Sequence, residues 1–105
     1  MRIIKTSDYE RWFRKLRDLT AKAKINARIK WIELHGELIG DCKPVGGKVT
    51  ELRIDFGPGY RVYVTEEGGE LLLLLIGGDK SSQQSDIEKA KKLAEEWRFQ
   101  NGSRG

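Results

Sequence analysis

Cysteine is almost missing from this 105-residue chain, with Cys42 its sole example. No internal disulfide can form, which fits a reducing compartment. Histidine is as scarce: His35 stands alone. A ribonuclease mechanism built on two histidines is therefore excluded, and Cys42 with His35 lacks the third partner that a thiol nucleophile needs. At the end of a helical stretch, His35 suits a contact with the last carbonyls. No cluster of His, Cys, Asp and Glu has metal-ligand spacing, so neither a metal nor another cofactor is expected. Long apolar runs are lacking too. The longest, Leu71–Ile76, is far short of the roughly 20 residues that a helix needs to cross a bilayer. Met1–Thr6 holds no apolar run of signal-peptide length. The expectation is a cytoplasmic protein with no membrane partner, no internal repeat and no low-complexity linker.

The chain has the length of one domain, read as residues 1–100 with a flexible tail over 101–105. Apolar residues make up 38%, enough for one modest core, so stability without a partner should be marginal. Charged residues reach 34%, with 20 Lys and Arg against 16 Asp and Glu. The resulting +4 suits an anionic partner. The excess lies N-terminally: residues 1–40 carry ten basic and five acidic side chains, a balance of +5. A solvated helix face explains such a run equally well.

Periodicity predicts an α+β order of two helices, an antiparallel meander of three to four strands, and a last helix. Ser7 and Glu10 have capping-box spacing ahead of Trp12, Phe13, Leu16 and Leu19, giving a helix over about 8–18. Thr20 opens a second helix that stops at Gly36. Residues 51–56 alternate polar and apolar, 60–65 are β-branched and aromatic, and 71–76 are apolar on both faces, as in a covered central strand. A short strand around 41–49 precedes them. Ser81 and Gln84 cap the last helix, along which Ile87, Ala90, Leu93, Ala94 and Trp97 recur. Trp12, Trp31 and Trp97 all fall in helical patterns and read as packing.

Taking Gly57–Gly59 as a three-residue loop sets a register. Ile54 then faces Val62 and Leu52 faces Val64 on the core side. The other side gets Asp55 with Arg61, Arg53 with Tyr63, and Glu51 with Thr65. The next hairpin brings Lys80 near Arg61, Tyr60 and the glycine turn. Two arginines, a lysine and two tyrosines in one region make an anion site, since Arg forks onto phosphate and Lys adds a point charge. Cross-strand support, with Asp55–Arg61 as an ion pair and Arg53–Tyr63 stacked, accounts for the same residues. Gly77-Gly78-Asp79-Lys80-Ser81 is not a P-loop, which needs Gly directly before Lys.

Three segments together, Lys43–Gly47, Val49–Tyr63 and Gly77–Gln83, resemble the HigB-like addiction-module killer proteins of the RelE/ParE toxin superfamily. The likeness spans about residues 7–97. It implies N-terminal helices, a small antiparallel sheet and a C-terminal helix. It implies a toxin that cleaves messenger RNA, usually on the ribosome, without a metal. A helix-turn-helix antitoxin encoded alongside would hold it and repress their shared promoter. On this resemblance Arg53 and Arg61 bind the phosphate, Lys80 adds an electrostatic contact, and Tyr60 or Tyr63 stacks on a base or shuttles a proton. Lys43, Lys48, Lys22, Lys24 and Arg28 become RNA-backbone contacts. The ParE branch implies instead a non-enzymatic gyrase inhibitor. A module that only binds its antitoxin is the third alternative.

Overall fold

A computed structural model describes residues 1–102. It is an α+β fold. In chain order its elements are β1 (Arg2–Lys5), α1 (Ser7–Lys15), α2 (Leu19–His35), β2 (Cys42–Gly46), β3 (Val49–Ile54), β4 (Tyr60–Glu67), β5 (Leu71–Gly78), a 3-10 turn (Lys80–Ser82) and α3 (Gln83–Gln100). Two N-terminal helices, a sheet and a C-terminal helix agree with the sequence pattern. The sheet differs from expectation: it has five strands in the order β1-β5-β4-β3-β2, and β1 runs parallel to β5. Arg2–Lys5 is too short for periodicity to reveal; pairing with β5 is what makes it a strand. Of the expected tail, Asn101 and Gly102 form a turn, and residues 103–105 lie outside the described residues. No helix among the described residues is long and apolar enough to cross a membrane.

The helix starts also differ from the capping pattern. Thr6, not Ser7, caps α1: its hydroxyl oxygen accepts from the Tyr9 N–H at 3.0 Å and its O–H donates to the Leu75 carbonyl at 2.7 Å. One side chain thus satisfies a helix end and fixes α1 to β5. Asp18, not Thr20, caps α2 through the Ala21 N–H at 3.0 Å. Gly36 ends α2 in the left-handed conformation, φ 76°, as its sequence position suggests. Asp79 caps the 3-10 turn through the Ser81 N–H at 2.8 Å, while α3 starts after Ser82 with no side-chain cap, so the expected Ser81 cap is not formed.

Strand alternation divides the core in two. Leu52, Ile54, Val62 and Val64 face Tyr9, Ile25, Ile29 and Ile32 from α1 and α2. On the other side Val49 and Tyr63 face Ala90 and Ala94 of α3. β5 serves both: Leu72 and Leu74 point to the first layer, Leu73, Leu75 and Ile76 to the second. The continuous apolar run therefore belongs to a strand covered on both faces. Its last two residues must be small. A Cβ on Gly77 would overlap the Trp12 ring, and one on Gly78 would overlap the Asp86 carboxyl. Their absence lets α1 and the start of α3 close on the strand end.

Candidate functional site

The β3–β4 connection is a five-residue loop, Asp55–Gly59, so the register sits two residues from the expected one. Ile54 faces Tyr60, Arg53 faces Arg61, Leu52 faces Val62 and Glu51 faces Tyr63. A slip of two keeps every side chain on its face and changes only its partner. The expected Asp55–Arg61 ion pair and Arg53–Tyr63 stack are therefore not formed. Two guanidiniums stand side by side instead, an arrangement that repels unless a carboxylate intervenes.

Glu51 supplies it. This side chain is fully buried beneath α3. Its Oε1 accepts from Arg53 Nε at 2.8 Å. Its Oε2 accepts from Tyr63 Oη at 3.2 Å and Gln83 Nε2 at 2.9 Å. Arg61 Nε lies 3.7 Å from the same oxygen, close enough for charge attraction but too far for a hydrogen bond. Arg61 is held instead by Nη1, which donates to the Gly59 carbonyl at 2.6 Å. Burial alone pushes the Glu51 carboxyl up. The hydrogen bonds from Arg53, Gln83 and Tyr63 and the Arg53 charge outweigh it, so its pKa is lowered. The hydrogen bond to Glu51 raises Arg53. Burial first, then the Glu51 charge and hydrogen bond, raise the Tyr63 hydroxyl.

Above this anchor lies an open cleft of about 400 Å³, lined by Arg53, Arg61, Tyr60, Lys80, Asp41 and Asp55 with the glycine turn. Four of the five expected catalytic side chains meet there. Lys80 arrives as the topology predicts, because Gly78 pairs with Arg61 and Lys80 is two residues beyond. Tyr63 is the exception. It is wholly buried, so it neither stacks on a base nor reaches a substrate proton; it holds Glu51. Asp41 and Asp55 bring negative charge to the wall, which restricts an anion to the Arg–Lys side. Asp79 turns away: its carboxylate accepts from the Ser81 N–H and hydroxyl, which hold its pKa low. Behind it, burial and then the Asp79 charge keep the Asp86 carboxyl raised, although the Ser82 hydroxyl donates to it.

The expected RNA-backbone contacts scatter. Lys43 pairs with Glu51 in register and is exposed on the same face of β2. Lys48 lies in the β2–β3 turn, at the opposite end of β3 from the cleft, roughly 17 Å away at the usual rise per strand residue. Lys22 sits over the Phe13 ring and Lys24 over the Phe56 ring, each at 5.2 Å. Arg28 is spent on the protein itself. Its guanidinium donates to the carbonyls of Ile39 at 2.9 Å, Arg53 at 2.9 Å and Asp41, and so ties the loop after α2 to β3. Its role is structural rather than a backbone contact. His35 Nδ1 lies 2.9 Å from the Trp31 carbonyl, the helix-end contact anticipated. No group of three His, Cys, Asp or Glu side chains that could hold a metal ion occurs among the described residues.

Sequence reasoning misses Glu51 and Gln83 at the site and misjudges Trp31. For Glu51 a signal exists: a five-residue loop places Arg53 opposite Arg61, and that pair demands a carboxylate two residues away on the same face. Gln83 belongs to α3 and gives no such signal. Trp31 reads as packing in the helical pattern, yet it is 57% exposed.

No family model matches the chain. A Haemophilus influenzae protein described as an uncharacterized protein is 52% identical over 91 residues, which covers 87% of this chain and 90% of that relative. The chain belongs to the same family as this protein.

Proposed function

We propose that this chain is the toxin of a type II toxin–antitoxin pair, a HigB-like member of the RelE/ParE superfamily that cuts messenger RNA without a metal. One observation carries the reading. Arg53 from β3, Arg61 from β4 and Lys80 from the loop after β5 line one open cleft, and a buried carboxylate lies between the two arginines, bonded to Arg53 and attracting Arg61. RNA carries its own nucleophile, the 2′-hydroxyl beside each phosphate. Cleavage needs that attack oriented, the added negative charge stabilised and two protons moved. The arginines suit the charged phosphate oxygens, and their fixed posture limits reorganisation during attack. Of the groups at the cleft, Lys80 and Tyr60 are assigned the proton transfers. Lys43, on the same face as Glu51, meets the flanking backbone. A helix-turn-helix antitoxin is the expected partner, and ribosome-bound messenger RNA the expected substrate.

Induced expression of the chain alone, with primer extension on total messenger RNA, tests this against Arg61→Ala. New 5′ ends with wild type, reduced at least a hundredfold in Arg61→Ala at unchanged circular dichroism, are expected; loss of one such donor costs about 10²–10³ in rate. Growth arrest with gyrase-linked DNA breaks and intact messenger RNA would replace this reading by the ParE-like inhibitor. No arrest and no new ends would leave a module that only binds its antitoxin.

A further inference from the structure

The outer face of α2 carries apolar side chains where a solvated helix would not. Its inner face buries Ala21, Ile25, Ile29 and Ile32, while Trp31 stands 57% exposed on the outside. An exposed indole offers a large apolar ring with one polar N–H, the make-up that enriches tryptophan at interfaces. Trp31 is held rather than loose: the His35 ring lies edge-on at 5.3 Å and 79°, and His35 Nδ1 is 2.9 Å from the Trp31 carbonyl. Beside it is a groove of about 500 Å³ lined by Lys24, Ala27, Arg28, Trp31, Ile54 and Asp55.

Position makes this groove more than an exposed patch. Ile54 and Asp55 line both the groove and the Arg53–Arg61–Lys80 cleft, so the two hollows share a wall. Arg28, on the groove, donates to the Arg53 carbonyl at 2.9 Å. The floor is apolar, with Ala27, Ile54 and the indole; Arg28 is held by three carbonyls and Lys24 lies over the Phe56 ring, so the cations free to meet phosphates are those of the adjoining cleft. An aromatic platform beside a cationic track is the arrangement by which proteins hold a single nucleic-acid strand, the bases stacking and the phosphates meeting the cations.

We infer that the Trp31 groove is a base-stacking subsite for an unpaired nucleotide adjoining the phosphate that the Arg53–Arg61–Lys80 cleft holds. This rests on the proposed RNA-cutting function and gives it a single-stranded substrate. Asp55, on the shared wall, repels a phosphate and accepts from an exocyclic amine, so the base rather than the backbone enters the groove. The charge pattern favours a nucleotide over an apolar protein segment, because the groove shares Ile54 and Asp55 with the cleft that holds Arg53, Arg61 and Lys80.

The test uses the full chain and an eight-nucleotide single-stranded 2′-O-methyl RNA of mixed sequence, which lacks the nucleophile and cannot be cut. Tryptophan fluorescence, and the anisotropy of a fluorescein label on the RNA that reports binding independently of Trp31, are followed during titration at several salt concentrations, for wild type and Trp31→Leu. Wild type should bind with quenching. Trp31→Leu should show no such quenching and bind about tenfold more weakly, within the range of a single base stack, with an unchanged salt slope because no cation is removed. Circular dichroism matching wild type checks that the exposed position tolerates leucine. Equal binding by Trp31→Leu, with the wild type binding RNA and producing new messenger-RNA ends in cells, overturns the subsite alone. Absence of both binding and new ends in wild type overturns the subsite together with the RNA-cutting function. Loss of antitoxin capture by Trp31→Leu at unchanged RNA binding overturns it in favour of a protein-docking surface.

Discussion

Glu51 separates two guanidiniums that strand pairing sets side by side. Its carboxylate has no access to solvent, whereas the Arg53 side chain is 34% and the Arg61 side chain 12% exposed. Removing it strands two cations, but each can recover some hydration. The expected loss for Glu51→Ala is therefore about 2–3 kcal/mol, below the upper range for breaking a fully buried pair. Urea unfolding at pH 7 measures it. The sign of the pH effect follows from the lowered pKa. A depressed carboxyl contributes stability that is complete above its unfolded value, near 4.3, and is lost as pH falls through the folded value. Glu51→Gln, which keeps the shape without the titration, should lose less stability than wild type between pH 5 and 2. Parallel losses for the two proteins would refute the assignment. At this scale the site is half legible in the sequence: Arg53, Arg61 and Lys80 stand out as basic residues at strand ends, while Glu51 depends on a loop length that Gly57–Gly59 leaves ambiguous.

The ends of two elements are set by space and by backbone conformation. Gly77 and Gly78 close β5 against α1 and α3. Alanine at Gly77 must displace the Trp12 ring, and overpacking of this kind costs about 1–3 kcal/mol. Gly77→Ala should lower the urea midpoint accordingly; an unchanged midpoint would mean that α1 shifts freely. The β2–β3 turn offers the reverse case. Lys48 has φ 63°, the left-handed region that disfavours a side chain, and follows Gly47 at φ 60°. Two such residues make the turn type that joins twisted strands, which favours glycine or asparagine. Lys48→Gly should relieve about 1 kcal/mol and raise the melting temperature of a domain this size by roughly 4–8 °C. Because Lys48 lies at the far end of β3, the proposed messenger-RNA cleavage should be unaffected. A fall in melting temperature would show that its side chain is needed where it stands.

Across the molecule, charge is concentrated by folding rather than by order in the chain. Residues 41–80 hold five basic and seven acidic side chains, a balance of −2, yet they supply the cationic side of the cleft. The segment with the basic excess, 1–40, uses Arg28 as a structural tie and sets Lys22 and Lys24 over aromatic rings. The electrostatic part of the proposed binding of single-stranded RNA should therefore follow the cleft rather than the helices. For single strands the slope of log K against log salt changes by about 0.7 for each phosphate that the protein no longer neutralises. Lys80→Ala should reduce it by that amount and Lys48→Ala should leave it unchanged. The opposite ranking would move the binding surface to the β2–β3 end.

Pattern along the chain is enough to establish the α+β order, the two-faced burial of Leu71–Ile76, the end of α2 at Gly36 and the meeting of Lys80 with Arg61. These depend on alternation, glycine conformation and short-range connection, all local properties. Folding in three dimensions is what makes Arg2–Lys5 a strand, sets Arg53 beside Arg61 over Glu51, buries Tyr63, engages Arg28 and leaves Trp31 exposed. Each of these depends on which distant element lies opposite, and local periodicity carries no record of that partner.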